Sequence, residues 1–313
     1  MAATREMNVI QLEKINYRGW PNCYRLSNAS MELTVTTDVG PRLIHFGFVG
    51  GDNEFAGVSA DLGQTGGGEW RVYGGHRLWH APEAMPRTFF PDNEPVAFET
   101  CSEFVRVVQP TEPTTGIQKE MDIHLWPEAA RVQVKHRLRN CGLWAVELAA
   151  WALTAMAPGG TAVIPLPSRG AHPENLQPNS LLTLWPYTDL SDPRWRWGRK
   201  YVLLRQDPDQ SQPQKIGASV PDGWVAYARD GHLFVKTFSP VARAAYPDFG
   251  CSVEAFTNAE MLELETLGPL TRLEPGAAVE HAENWFLFHD VPTPTSDVEV
   301  DTHILPKLKE ILL

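Results

Sequence analysis

The sequence predicts an all-β protein, a large antiparallel β-sandwich of two sheets with few short helices. Two observations support this fold class. Runs in which apolar and polar residues alternate recur along the chain, and a period of two is typical of half-buried strands. The 313 residues also include 26 Pro, 24 Gly and 11 Trp, and turn-forming and aromatic residues favour strands and loops over helices.

Strands are predicted wherever an alternating run is bounded by turn residues. In chain order these runs are 31–37, 42–49, 103–108, 116–125, 130–139, 224–228, 233–238, 251–257, 261–266 and 278–288. Asp230-Gly231 lies between two of them, which is a strong hairpin signal. The Ala-rich segment 145–157 has helix propensity but also fits a pair of strands. Residues 306–313 are expected to form a short closing helix.

We expect residues 1–313 to form one domain, with 290–313 as a C-terminal tail. The length allows two domains or one large sandwich, and no Pro-rich stretch separates segments of different composition. The first residues do not resemble a secretory signal. The four cysteines lie far apart with no CxxC spacing, which argues against a disulfide framework and fits a reducing compartment. The predicted location is therefore cytoplasmic.

The charge balance bears on the partners. The formal net charge is −11, so a broad cationic surface that displaces counterions is not expected, and neither a nucleic acid nor an anionic membrane is a predicted partner. Arg is locally dense only at 194–200, which also contains Trp195 and Trp197. That segment fits an anion- or sugar-binding loop and a protein interface equally well.

The segment 70–83, WRVYGGHRLWHAPE, concentrates residues that carry chemistry. Gly74-Gly75 would allow close approach of the backbone to a ligand, and Trp and Tyr offer flat apolar faces with polar edges. Arg supplies a fixed fork of donors. Because sugars present apolar C–H faces and hydroxyl rims, this mixture predicts a site for a small-molecule carbohydrate. The alternative is a surface loop with packed aromatic residues.

No metal or cofactor is predicted. His76 and His80 stand four residues apart, a spacing that on a helix would place both on one face for a metal. Gly-Gly before them and Ala-Pro after them leave little room for a helix. The sequence also contains no P-loop, no dinucleotide fingerprint after a strand and no GxSxG elbow.

A second cluster of interest lies near the C-terminus. Glu263 and Glu265 alternate with leucines, so on a strand both carboxylates share one face. The pattern alone favours a solvated face, and the alternative is a general base at the mouth of the sandwich. Lys215, just before the 224–238 hairpin, would either bind an anionic group from a loop or remain solvated.

These segments resemble the galactose mutarotase-like (aldose 1-epimerase) superfamily over most of the chain. Residues 39–44, VGPRLI, are similar to the opening turn and strand of that family, and 74–82, GGHRLWHAP, to the Gly-Gly…Trp-Pro segment of its hexose-phosphate epimerase branch. Residues 262–266, LELET, are similar to the strand that carries the catalytic Glu, and 273–276, LEPG, to the Leu-x-Pro-Gly ending. The order and spacing of the last two motifs are the most specific part of the resemblance.

The resemblance implies a β supersandwich with a shallow sugar cleft, in which acid–base ring opening interconverts the α and β anomers. Glu265 matches the general base of the family. The mid-chain His of the family is missing, because the corresponding segment 151–154 is WALT. His76 or His80 is therefore expected to replace it as general acid, since imidazole titrates near neutrality. The predicted substrate-binding residues are Arg77, Trp79, Arg42, Glu263 and Lys215.

Three functional hypotheses follow. The first is an epimerase-type isomerase acting on a sugar or sugar derivative, and the second is a non-catalytic carbohydrate-binding protein on the same fold. The third is a β-sandwich interaction module whose aromatic residues pack internally or against a partner. The first two predict that Trp79, with Trp70 or with the Trp195–Trp197 loop, lines a sugar cleft.

Overall fold

A computed structural model describes residues 10–311, and almost every regular element in it is a strand. The strands are β1 (Gln11–Tyr17), β2 (Trp20–Ser27), β3 (Met31–Thr36), β4 (Arg42–Phe48), β5 (His76–Ala81), β6 (Ala97–Thr100), β7 (Val105–Val108), β8 (Ile117–Leu125), β9 (Arg131–Asn140), β10 (Val146–Met156), β11 (Thr161–Pro165), β12 (Leu182–Leu184), β13 (Trp195–Trp197), β14 (Tyr201–Arg205), β15 (Gln214–Ala218), β16 (Trp224–Arg229), β17 (His232–Phe238), β18 (Val253–Thr257), β19 (Leu262–Leu267), β20 (Thr271–Leu273) and β21 (Ala278–Phe288).

The strands form two antiparallel sheets that face each other. The first has the order β1-β2-β3-β4-β5-β10-β19-β18-β15-β12, with β20 pairing β10. The second has the order β13-β14-β11-β16-β17-β21-β9-β8-β7-β6. The all-β, two-sheet prediction is therefore confirmed. The Ala-rich segment is the central strand β10, which pairs with β5 on one side and with β19 on the other.

The main core fills the space between the sheets. Leu78 and Leu264 from the first sheet and Val134 and Leu287 from the second belong to one buried cluster. The ring of Trp285 lies 5.6–5.9 Å from the rings of three phenylalanines, Phe46, Phe55 and Phe234. Each such side chain that folding removes from water contributes about 1.5–3 kcal/mol, and this burial holds the sheets together.

A helical segment closes the chain. It consists of α1 (Asp297–Glu299), a π-helical turn (Val300–Ile304) and α2 (Leu305–Ile311). Its buried residues pack on the outer face of the second sheet, where Ile304 and Leu308 share a cluster with Val235. The predicted closing helix at 306–313 corresponds to α2, and 312–313 lie outside the described residues. No helix of the described part is long and apolar enough to cross a bilayer.

Candidate functional site

The outer face of the first sheet, turned away from the second sheet, carries a cleft. Arg77 on β5 lies opposite Leu153 on β10, and Leu153 lies opposite Glu265 on β19. Because neighbouring residues of a strand point to opposite faces, Arg77 and Trp79 share the cleft face with Glu263 and Glu265. The intervening leucines of β5 and β19 point into the core.

Gly74-Gly75 places β5 close to its neighbours. Both glycines have positive φ, 91° and 71°, a region that other residues rarely adopt. A Cβ on Gly75 would lie 2.2 Å from the carbonyl oxygen of Leu43, and one on Gly74 would lie 2.2 Å from that of Ala56. The two glycines therefore allow neighbouring backbone segments of the protein to pack closely. The sequence suggested that they allow close approach to a ligand.

The cleft has a volume of about 220 Å³. This volume is smaller than the range of about 300–1,000 Å³ that is typical of clefts for drug-sized ligands. The lining combines an aromatic wall with charged side chains. The lining residues are Trp70, Val72, Arg77, Trp79, Glu83, Phe89, Trp151, Leu153, Tyr187, Lys215, Phe256, Asn258, Met261 and Glu263. Four of the predicted substrate-binding residues, all except Arg42, therefore meet in one place.

Arg77 is held between a carboxylate and aromatic rings. Its guanidinium Nη2 forms an ion pair with Glu263 Oε1 at a distance of 2.9 Å. It lies 4.4 Å from the ring centre of Trp79 and 5.5 Å from that of Trp70. The face of Trp79 is thus covered by Arg77, and Trp70, which is less buried, offers more of its surface to the cleft.

Lys215 is enclosed in the same way at the other side of the floor. Its Nζ lies 2.7 Å from Glu254 and 3.3 Å from Glu265, and 4.7 Å from the ring centres of both Trp151 and Trp185. Burial opposes the charge of Lys215, but Glu265 and Glu254 outweigh it and raise the pKa of the ammonium group. Lys215 therefore stays protonated.

Glu265 lies beneath the cleft and does not line it. Its Oε2 accepts hydrogen bonds from Trp151 Nε1 at 2.7 Å and from Lys215 at 3.3 Å, and the residue is fully buried. Burial raises the pKa of this carboxyl, although Lys215 acts in the opposite direction. Trp151 thus orients the predicted base and offers no titratable group.

Several polar atoms around the cleft are buried without a hydrogen-bond partner in the described part of the chain. The donors are Trp70 Nε1 and Arg77 Nε, and the acceptors include Glu265 Oε1. Native proteins contain few such atoms, and each one calls for an explanation such as a bound water or ligand. Donors and acceptors occur together here, which suits a partner that can do both.

The expectation that His76 or His80 shares a cleft with Glu265 is wrong. Both histidines point to the opposite face of β5, because they alternate with Arg77 and Trp79. His76 contacts Thr154 and His136 inside the sandwich. His80 lies 3.7 Å from Glu112 and lines a separate cavity of about 370 Å³. No imidazole lines the cleft within residues 10–311.

Arg42 and the Trp195–Trp197 loop also lie outside the cleft. Arg42 is fully buried and donates to the carbonyl oxygens of Val72 and Gly74 and to Asp92 at 2.7–3.0 Å. It therefore positions the segment before β5 and makes no contact with a ligand in the cleft. Trp195 is buried against Trp197, and neither lines the cleft. Trp70 is the partner of Trp79.

One group of three side chains in the described residues has the spacing of metal ligands, His76, His136 and Glu283. His136 Nδ1 faces the carbonyl oxygen of His281 at 2.9 Å and must donate, so His136 Nε2 accepts from His76 Nε2 at 2.7 Å. Glu283 forms an ion pair with Lys236 at 2.9 Å. The three groups are thus engaged in a hydrogen-bonded network of the core.

The strand arrangement recurs in solved structures. The protein Slr1438 from Synechocystis sp. PCC 6803 matches with a TM-score of 0.60 and 12% identity, over 88% of this chain and 99% of that one. A galactose mutarotase-like protein from Lactobacillus casei matches with a TM-score of 0.54 and 12% identity, over 85% and 100%. A galactose mutarotase-like protein from Clostridium acetobutylicum matches with a TM-score of 0.55 and 9% identity, over 90% of this chain and 99% of that one.

This chain has the galactose mutarotase-like fold. The structural prediction made from the resemblance is therefore confirmed. At identities of 9–12%, these neighbours establish the fold and say nothing of substrate or reaction. No family model matches the sequence, and no curated protein sequence matches it significantly.

Proposed function

We propose that the cleft on β5, β10 and β19 binds a small-molecule carbohydrate. The observation that supports this proposal is the presence of buried donors and acceptors without partners beside an aromatic wall. Trp70 Nε1 and Arg77 Nε donate, and Glu263 Oε1, which lines the cleft in its ion pair with Arg77, accepts. A sugar hydroxyl does both, so adjacent hydroxyls of one ring can engage groups of both kinds, while the aromatic wall contacts the apolar C–H face.

The geometry assigns roles around the ring. Arg77 and Glu263 form one rim of the floor and Lys215 forms the other, so a bound sugar spans two fixed ion pairs. Tyr187, which is 42% exposed, and Trp70 lie at the lining where a ligand enters. Because the charged groups are held by their own partners, they are ordered before a ligand binds, and this limits the entropic cost of binding.

The test uses titration of aldoses into the protein, followed by calorimetry. Trp70→Phe keeps the aromatic ring and removes the Nε1 donor. One hydrogen bond contributes about 1 kcal/mol, so the variant should bind about fivefold more weakly. The matched control is Trp144→Phe, because Trp144 is 80% exposed and does not line the cleft. Wild-type affinity in Trp70→Phe would contradict the proposed site.

A second candidate function is aldose 1-epimerase-type isomerisation of the bound sugar. It is favoured by Glu265, whose pKa is raised by burial and whose Oε1 has no partner in the described residues. General acid–base catalysis requires a group that exchanges protons near neutral pH. Since Glu265 does not line the cleft, a proton must pass through Lys215, which contacts both Glu265 and the cleft.

Binding without catalysis is the first choice because the cleft supplies no imidazole from the described chain and Lys215 holds its proton firmly. The two functions are separated by exchange NMR on the α and β anomers of an aldose. Isomerisation predicts faster exchange in the wild type that Glu265→Gln abolishes and Glu128→Gln, an exposed control, does not. Saturable binding with no faster exchange supports the binding function.

A further inference from the structure

Both cations of the cleft already face a carboxylate of the protein. Arg77 is paired with Glu263 at 2.9 Å, and its face is stacked on Trp79. In sites that bind phosphate or carboxylate, Arg offers its fork of donors to the ligand in a bidentate contact. Here Glu263 Oε1 already contacts one end of the guanidinium, Nη2, at 2.9 Å.

Lys215 is neutralised more completely still. Its Nζ lies within 3.3 Å of two carboxylates, Glu254 and Glu265, and 4.7 Å from the ring centres of Trp151 and Trp185. A ligand anion near Lys215 would also approach both of these buried carboxylates. Burial raises the pKa values of both carboxyl groups, because a negative charge is poorly solvated at this place.

Carboxyl groups outnumber cations around the cleft. Glu83 and Glu263 line it, and Glu254 and Glu265 lie directly behind Lys215. Against these four acidic side chains stand Arg77 and Lys215. The cleft therefore holds no net positive charge that would attract a phosphate or carboxylate, and an anionic ligand meets repulsion from the surplus carboxyl groups.

We therefore infer that the cleft selects uncharged sugars and excludes sugar phosphates and sugar acids, an inference that rests on the proposed carbohydrate site. Glu263 is a specificity-determining residue, because its charge neutralises Arg77 and its Oε1 contacts Nη2 of the guanidinium. Glu83, which is exposed at the lining, adds a repulsive charge. The hydroxyl groups of a neutral sugar leave the existing ion pairs intact.

Calorimetric titrations at neutral pH and low salt test this selection. The ligands are glucose, galactose and mannose, each compared with its 6-phosphate and its uronic acid. We expect the neutral sugar that binds best to bind at least about tenfold more tightly than either anionic derivative. Equal or tighter binding of an anionic derivative overturns the charge selection and leaves the carbohydrate site standing. Failure of every sugar to bind overturns the proposed function as well.

The variant Glu263→Gln tests whether the negative charge of Glu263 causes the discrimination against anionic sugars. It removes one negative charge and frees Arg77, so the affinity ratio between neutral sugar and phosphate should fall by about tenfold. Glu128→Gln, at an exposed turn, should leave the ratio unchanged. Raising the salt concentration screens charge repulsion and should narrow the wild-type ratio in the same direction. A ratio that is insensitive to both salt and Glu263→Gln contradicts the electrostatic explanation.

Discussion

Lys236 and Glu283 form an ion pair in the middle of the sandwich, where neither is exposed. Lys236 Nζ also donates to the carbonyl oxygen of Leu264 at 3.0 Å, and Glu283 accepts from Thr266 and from Trp285 Nε1. A buried pair with its remaining hydrogen bonds satisfied is tolerated, whereas either charge left alone is not.

Lys236→Met should therefore destabilise the protein strongly. Leaving Glu283 buried without its cation costs about 3–5 kcal/mol of the free energy of unfolding, measured by urea denaturation. Replacing both partners, with Lys236→Met and Glu283→Leu together, should recover part of this loss. The control Lys135→Met, at a side chain that is 40% exposed, should change the free energy by less than about 0.5 kcal/mol. An equal effect of the two lysine substitutions would contradict the buried pairing.

The buried histidines make stability depend on pH. Burial lowers the pKa of His281 to about 4, and it lowers those of His76 and His136 in the same direction. Between about pH 6.5 and 4 the unfolded chain therefore binds protons that the folded chain does not. The free energy of unfolding contributed by His281 should fall by about 3 kcal/mol as the pH drops through this window.

His281→Phe isolates this contribution, because the raised pKa values of Glu254 and Glu265 act in the opposite direction in both proteins. Urea denaturation at a series of pH values should show a shallower decline below pH 6.5 in the variant than in the wild type. Parallel curves for the two proteins would show that His281 is protonated equally in the folded and unfolded states.

The candidate site was partly predictable at the level of single residues. Arg77, Trp79, Glu263 and Lys215 meet in the cleft, as their residue types suggested. The error concerning the histidines was avoidable, because 76–81 is a strand and a period of two separates His76 and His80 from Arg77. Trp151 and Glu254 carried no signal of their own, since their roles depend on contacts between distant strands.

Strand β5 follows a turn with unusual backbone geometry, in which Gly74 and Gly75 both have positive φ. Gly75→Ala places a Cβ 2.2 Å from the backbone carbonyl of Leu43 at a φ of 71°, so the strand must shift. We expect a loss of more than about 2 kcal/mol in the free energy of unfolding, together with weaker sugar binding. Gly231→Ala is the matched control, with φ at 81° and no atom within 4 Å.

The control should cost only the backbone strain of about 1 kcal/mol and leave sugar binding unchanged. Denaturant unfolding and calorimetry on both variants make the comparison. Similar losses of stability and of binding in the two variants would show that the turn before β5 has no special part in the cleft.

Strands in which apolar and polar residues alternate strongly were predictable from the sequence. Strands whose structure is decided by pairing with a neighbouring strand were not. The Asp230-Gly231 hairpin joins β16 and β17 as its sequence indicates. The Ala-rich β10 was ambiguous because helix propensity is weak and its pairing with β5 and β19 decides its structure. Short strands such as β13 lie between turn residues and Pro and become regular through pairing with β14.

At the scale of the whole molecule, the sandwich holds two groups of buried polar side chains in separate places. The space between the sheets contains His76, His136 and Glu283. The two histidines contact each other, and Glu283 is bonded by Lys236, Thr266 and Trp285. The outer face of the first sheet contains the cleft, where donors and acceptors lack partners within the described chain. The first arrangement stabilises the fold, and the second suits a ligand.

A neutral sugar is proposed to occupy the cleft between Trp70 and the Arg77–Glu263 pair. A crystal structure of the protein with the aldose that binds most tightly tests it most directly. We predict sugar density in contact with Trp70 and Arg77, with hydroxyl groups near Trp70 Nε1 and Arg77 Nε and with the Arg77–Glu263 pair retained. Sugar bound elsewhere, or an anionic group bound to Arg77 in place of Glu263, would contradict the account.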